Sequence, residues 1–129
     1  THRCILTVKC KSGGRVIEIE HDIDQRDFDD MWEMSRIRLR KIRSYVEDWE
    51  VDFFIDFDDK IYFIMAEIEM PEGQTHPTTI PSLIKQHLLY EVPYHDSRFS
   101  SRKLGNIKKA AKLWRKLHQS KDKNDQRKT

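Results

Sequence analysis

The chain has 129 residues with a formal net charge of +2, 37% apolar and 36% charged residues, and a mean hydropathy of −0.80. That length is one ordinary domain and excludes two full cores, while three Trp, six Phe and four Tyr supply enough bulk for one. No run approaches a membrane span, and the N-terminus Thr-His-Arg-Cys lacks a signal peptide's apolar stretch, so the chain reads as cytoplasmic with no membrane partner. Charge is divided along the chain. Residues 1–100 hold 13 Lys/Arg against 20 Asp/Glu, and residues 101–129 hold 11 against 2.

From Arg3 to Lys11 the pattern alternates as a strand, with Cys4, Leu6, Val8 and Cys10 on one face and Ile5, Thr7, Lys9 and Lys11 on the other. Cys4 and Cys10 therefore read as small face-sharing residues rather than a disulfide scaffold or a metal cluster. Ser12-Gly13-Gly14 predicts a hairpin turn, and Arg15 to His21 the returning strand. At Asp24 the period becomes helical, with Asp24 as N-cap, Phe28 and Trp32 on one stripe, and a stop near Ser35. Three more strands are expected at Ile37–Val46, Trp49–Phe57 and Lys60–Met70, giving an antiparallel meander. Pro71, Pro77 and Pro81 break the pattern before a short helix from Pro81 to Leu89. Arg102 to Gln119 predicts a helix with Leu104, Ile107, Ala111, Trp114 and Leu117 on its apolar stripe, and 120–129 is polar enough to be disordered.

Charges recur at alternate strand positions: Lys41 and Arg43 share a face with Tyr45, and Glu67 and Glu69 continue the face of Ile61, Phe63 and Met65. A solvated sheet face accounts for such charges equally well. If the sheet curls, they line a polar cavity instead. Paired Glu then offer hard oxygen ligands for Mg²⁺ or Mn²⁺, and Lys9, Lys41 and Arg43 offer donors to phosphate oxygens. The six His are scattered and suggest no zinc site, so a surface or structural role is expected for each, and no nucleophile motif starts a Ser/His/Asp reading.

At these residues the chain resembles the CYTH superfamily, the triphosphate tunnel metalloenzymes, which includes inorganic triphosphatases, thiamine triphosphatases and class IV adenylate cyclases. Leu6-Thr7-Val8-Lys9 with Gly13-Gly14-Arg15 and Glu18-Ile19-Glu20 looks like the family's L-T-x-K, glycine and E-x-E run. Lys41-Ile42-Arg43-Ser44-Tyr45 looks like its K-x-R-x-Y strand, Trp49-Glu50-Val51-Asp52-Phe53 like its W-E-V-D strand, and Ala66-Glu67-Ile68-Glu69 like its A-E-x-E strand. Asp96-Ser97-Arg98-Phe99 through Leu104 is similar to its closing D-x-R-Y-x-N-x-x-L, with Phe99 and Ser101 in place of Tyr and Asn. The family's opening E-x-E-x-K strand, and the strand after it, have no counterpart here; a fragment, a processed chain and a degenerate homologue all fit.

The resemblance implies an α+β fold, an antiparallel β-tunnel that is N-terminally incomplete, with a C-terminal helix: a CYTH-like domain over 1–104, a basic helix over 105–119 and a disordered tail over 120–129. It implies metal-dependent binding and hydrolysis of inorganic triphosphate or a nucleoside triphosphate. Glu67 and Glu69 would hold Mg²⁺ or Mn²⁺, with Lys41 catalytic beside them, and Lys9, Lys11, Arg15, Lys41, Arg43 and Arg98 would bind phosphates. The alternative is a catalytically inactive module for a phosphorylated or polyanionic ligand. Five strands are too few to close such a tunnel, so a missing N-terminal segment, a second copy forming a homodimer, or a helix is expected at the open edges. The basic C-terminal helix reads first as a cap with a solvated face, and otherwise as an electrostatic contact with nucleic acid or an acidic partner.

Overall fold

A computed structural model describes residues 2–92 and 96–127. His95 and the last two residues of the expected disordered tail lie outside them. The five remaining His are all exposed. The chain divides into two compact units, residues 1–38 and 39–129.

In the first unit, strands β1 (Cys4–Ser12) and β2 (Arg15–Ile23) pair antiparallel. Gly13 and Gly14 take φ of 56° and 76°, the doubly left-handed backbone that a two-residue hairpin loop needs and that glycine adopts without penalty. The register puts Cys4, Leu6, Val8 and Cys10 on one face with Ile17, Ile19, His21 and Ile23. Lys9 stands opposite Glu18 and Thr7 opposite Glu20 on the other face. Helix α1 (Gln25–Met34) follows, with Asp24 at its N-cap but making no side-chain cap bond. Phe28 and Trp32 stack at 6.4 Å, and Arg38 closes the helix end by donating to the carbonyls of Glu33 (2.8 Å) and Ser35 (3.2 Å). None of the described residues 2–38 is buried.

The second unit carries the core. Strands β3 (Arg40–Val46), β4 (Trp49–Ile55) and β5 (Ile61–Glu67) form an antiparallel sheet in the order β3-β4-β5. Thus the fold is α+β with two antiparallel sheets, of two and three strands, rather than one five-stranded meander. The Glu47-Asp48 turn, with Glu47 at φ 53°, closes β3 onto β4. Between β4 and β5 the Asp56 carboxylate accepts from the backbone N–H of Asp58 and Lys60, both at 2.9 Å, and fixes that bend.

Short helices α2 (Ser82–Gln86) and α3 (Ser101–Leu104) precede the long α4 (Ile107–Arg127), with a 3₁₀ turn at Ser97–Phe99 between α2 and α3. Ser100 caps α3 through Lys103 N–H, and Asn106 caps α4 through Lys109 N–H at 3.1 Å. These two caps split what reads in sequence as one helix. Beyond residue 119 the helix continues to Arg127, so residues 120–127 are helical, not the expected disordered tail. Lys, Gln, Asp and Arg are tolerated on a helix already nucleated by its packed turns.

One face of the sheet receives these helices. Phe54 (0% exposed), Phe63, Phe99, Leu104, Ala110 and Leu117 form the buried cluster. Phe63 packs edge-on against Phe54 (6.0 Å) and Trp114 (5.1 Å), and Tyr62 donates its hydroxyl to the Leu104 carbonyl at 2.9 Å. Leu104, Trp114 and Leu117 of the expected apolar stripe meet this cluster, joined by Ala110 and Leu113. Among the described residues no helix is long and apolar enough to cross a membrane.

Candidate functional site

The face of the sheet that bears the aromatic core also bears a charged cluster, because cross-strand partners point to the same side. Lys41 faces Phe54, Arg43 faces Asp52, and Tyr45 faces Glu50 on β4. On β5, Phe63, Met65 and Glu67 continue those three rows. On β4 and β5 the face therefore passes from Phe54 and Phe63, which Lys41 flanks on β3, to Glu50 and Glu67 within two steps along each strand.

Asp52 stands at the transition, on the central strand, and is 1% exposed. Its carboxylate receives Lys41 Nζ at 2.8 Å on Oδ2, and Arg43 Nε at 2.7 Å on Oδ1 with Nη2 at 2.9 Å on Oδ2. Arg43 reaches Glu50 through Nη1 as well, at 3.0 Å. The fork of Arg43 holds the Asp52 carboxyl well below the ordinary range, at about 2, with Lys41 helping and burial opposing. The same contact raises Arg43, which stays protonated at any working pH. Lys41 lays its ammonium 5.9 Å from the Phe54 ring centre, and its side chain and that of Arg43 remain 32% and 35% exposed.

Donor arithmetic shows what this arrangement leaves over. Lys41 has three N–H donors and Arg43 five; Asp52 and Glu50 engage one of the former and three of the latter. Two donors on each side chain take no partner among the described residues. Asp52 thus sets two cations side by side, each with donors to spare among the described residues.

At the polar end, Tyr45, Trp49, Glu50, Glu69, Pro71 and Pro77 help line an open cavity of about 570 Å³. Glu67, exposed, lies directly across from Glu50. Glu69 lies beyond the end of β5 instead of in the expected strand, because its partner position on the β4 side is the Glu47-Asp48 turn. Among the described residues no three His, Cys, Asp or Glu side chains stand together as a metal centre.

The other residues singled out in the sequence fall elsewhere. Lys9, Lys11 and Arg15 are exposed on the β1–β2 hairpin of the first unit, Lys9 across from Glu18 and Lys11 across from Val16. Arg98 is held by Asp96 through Nη2 at 2.7 Å and Nε at 3.0 Å, touches Tyr90 Oη at 3.2 Å, and lies 5.5 Å from the Phe99 ring centre. Asp96 is correspondingly lowered by the Arg98 hydrogen bond. Asp52 and Glu50 are the residues sequence reasoning did not place in the site. Their signal is an E-x-D that follows a K-x-R strand across a two-residue turn, which forces both pairs onto one face.

Compared with known proteins, the chain matches no family model, no curated protein and no solved structure.

Proposed function

We propose that the chain is a CYTH-like module that binds a triphosphate-type anion on Lys41 and Arg43. The observation that supports it is the Asp52 carboxylate holding both cations side by side on one sheet face, each about one-third exposed and with two N–H donors that take no partner among the described residues. A phosphate chain presents oxygens in pairs, and a pre-ordered Lys–Arg pair meets them without first paying the ordering cost of two long side chains. The three strands carrying this face correspond, in this reading, to the family's K-x-R, E-x-D and E-x-E strands. Strands from an upstream segment or from a second copy of the chain would complete the tunnel, in a cytoplasmic setting.

Glu67 and Glu69 as placed do not fit a resident Mg²⁺ or Mn²⁺, since only Glu67 lies in β5 and its cross-strand neighbour Glu50 is engaged by Arg43. Metal-dependent hydrolysis is the second reading, favoured by Glu67, which stands across from the Arg43-bound Glu50 and has no ion-pair partner among the described residues.

Calorimetry with tripolyphosphate, in chelator and then with Mg²⁺, separates the two. Binding in chelator that is lost in Lys41→Gln and in Arg43→Gln supports the module. Phosphate release that needs Mg²⁺ and disappears in Glu67→Gln supports the hydrolase. Absence of binding under both conditions, or binding unaltered by both cation variants, rejects the site.

A further inference from the structure

Helix α4 carries a second surface, independent of the Lys41–Arg43 site. Its buried side is Ala110 and Leu117, with Leu113 and Trp114 half-buried beside them. At 100° per residue, Lys108, Lys109, Lys112, Arg115, Lys116 and Lys123 all fall within an arc of about 120° on the opposite side. All six are exposed, and among the described residues none has an ion pair. Lys121 is excluded from the arc: it turns toward the core side and donates to the Leu88 carbonyl at 3.0 Å.

The arrangement works against the helix that bears it. Lys108, Lys112 and Lys116 are like charges at successive i,i+4 positions, and Lys108 and Lys109 occupy a first turn that has no acidic residue to complement the helix dipole. A solvated polar face has no need of either; a polyanion bound along the arc relieves both.

We propose that this arc binds the phosphate backbone of a nucleic acid, without base specificity. From Lys108 to Lys123 the stripe is about 22 Å long, which spans about six phosphates of one strand at 3.4 Å each. A membrane surface fits less well as the occupant, because the apolar face that would insert is already buried in the core and the charged arc contains no apolar residue. An acidic protein surface fits less well, since protein interfaces depend on buried aromatic or aliphatic anchors and the arc offers none. The absence of exposed aromatics on the arc is also why the readout stops at the backbone.

The test is fluorescence anisotropy of the full chain with a labelled 20-base-pair duplex and a single strand of the same length, across a salt series. Neutralising six phosphates gives a slope of log K on log salt of about −5 for the duplex and about −4 for the single strand, whatever the sequence. Charge reversal of Lys112, Arg115 and Lys116 to Glu weakens binding by roughly 100-fold or more at low salt. The milder Lys112→Gln/Lys116→Gln pair weakens it less while leaving the circular-dichroism melt unchanged or raised, and Lys85→Glu on α2 leaves binding alone. Inorganic polyphosphate and polyglutamate serve as competitors. Polyphosphate competition with duplex binding supports the assignment. Polyphosphate binding without duplex binding, polyglutamate competing equally well, a salt-independent affinity, or reversal without effect each overturns it.

Discussion

Replacing Asp52 with Asn tests whether the charged cluster is held by a buried carboxylate or merely decorates the sheet. In the native chain the Asp52 pKa falls from 3.8 to about 2, which corresponds to about 2 kcal/mol of stability contributed by its ionised form. Because the folded pKa is the depressed one, that contribution is fully present above the unfolded value near 4 and is lost as pH falls through 2. Asn keeps one acceptor but turns an N–H₂ toward a cation, so it forfeits this contribution and adds a mismatched donor within a site that is 1% exposed. Lys41 and Arg43 are each about one-third exposed and recover part of their hydration, which keeps the cost below that of stranding a fully buried charge. The expected loss is about 2–3 kcal/mol at pH 7, shrinking toward zero between pH 4 and 2. Urea unfolding of both proteins over that range measures it. A difference that stays constant with pH, or one under about 0.5 kcal/mol at pH 7, would refute the claim that Asp52 anchors both cations.

Tyr62→Phe deletes the hydroxyl that donates to the Leu104 carbonyl and should cost about 1 kcal/mol in urea unfolding; no cost would mean water replaces that bond. Trp114→Ala removes a ring that packs 5.1 Å from Phe63, and truncation at Gly105 removes all of α4; the first should lower stability by about 2–3 kcal/mol and the second should expose apolar surface to a dye. A truncated chain that melts like the full one would show α4 to be an appendage rather than part of the core. In hydrogen exchange, amides of β4 should outlast those of β1 and β2, because β4 is bonded on both edges and buried while no described residue of 2–38 is buried. The reverse order would contradict that distribution of the core.

The strands and hairpins were legible because alternation and turn residues act locally: Gly13-Gly14 and the polar Glu47-Asp48 dipeptide each sit between runs of period two. Strand ends were not, since they depend on the partner. Ile37–Leu39 alternate like the residues after them, yet β3 begins at Arg40 because its partner Ile55 is the last residue of β4. For the same reason the pattern of Ala66 to Met70 outruns β5 and carries Glu69 out of the ladder. Lys41 and Arg43 could be picked out as a pair from their spacing alone. Asp52 was missed, because an acidic residue alternating with Val51 and Phe53 looks solvated unless the register is counted from the two-residue turn, which sets it against Arg43. At the C-terminus, polarity in 120–127 suggested disorder, but there helix propensity and continuity with packed turns decide the outcome.

The two-residue turn at Glu47-Asp48 also determines on which side of the sheet the cations emerge. Val46 faces Trp49 across it, and from that closing pair every partner is counted outward to Arg43 and Asp52, then Lys41 and Phe54. One residue inserted between Glu47 and Asp48, if β3 slipped by one to absorb it, would reverse the parity of β3 alone. Ile42 and Ser44 would then occupy the places of the cations, Lys41 and Arg43 would surface on the far side, and Asp52 would be left sealed in without a counter-ion. An insertion of two residues would restore the parity. The length of this turn, odd or even, is a chemical determinant of the cluster although neither turn residue touches Asp52.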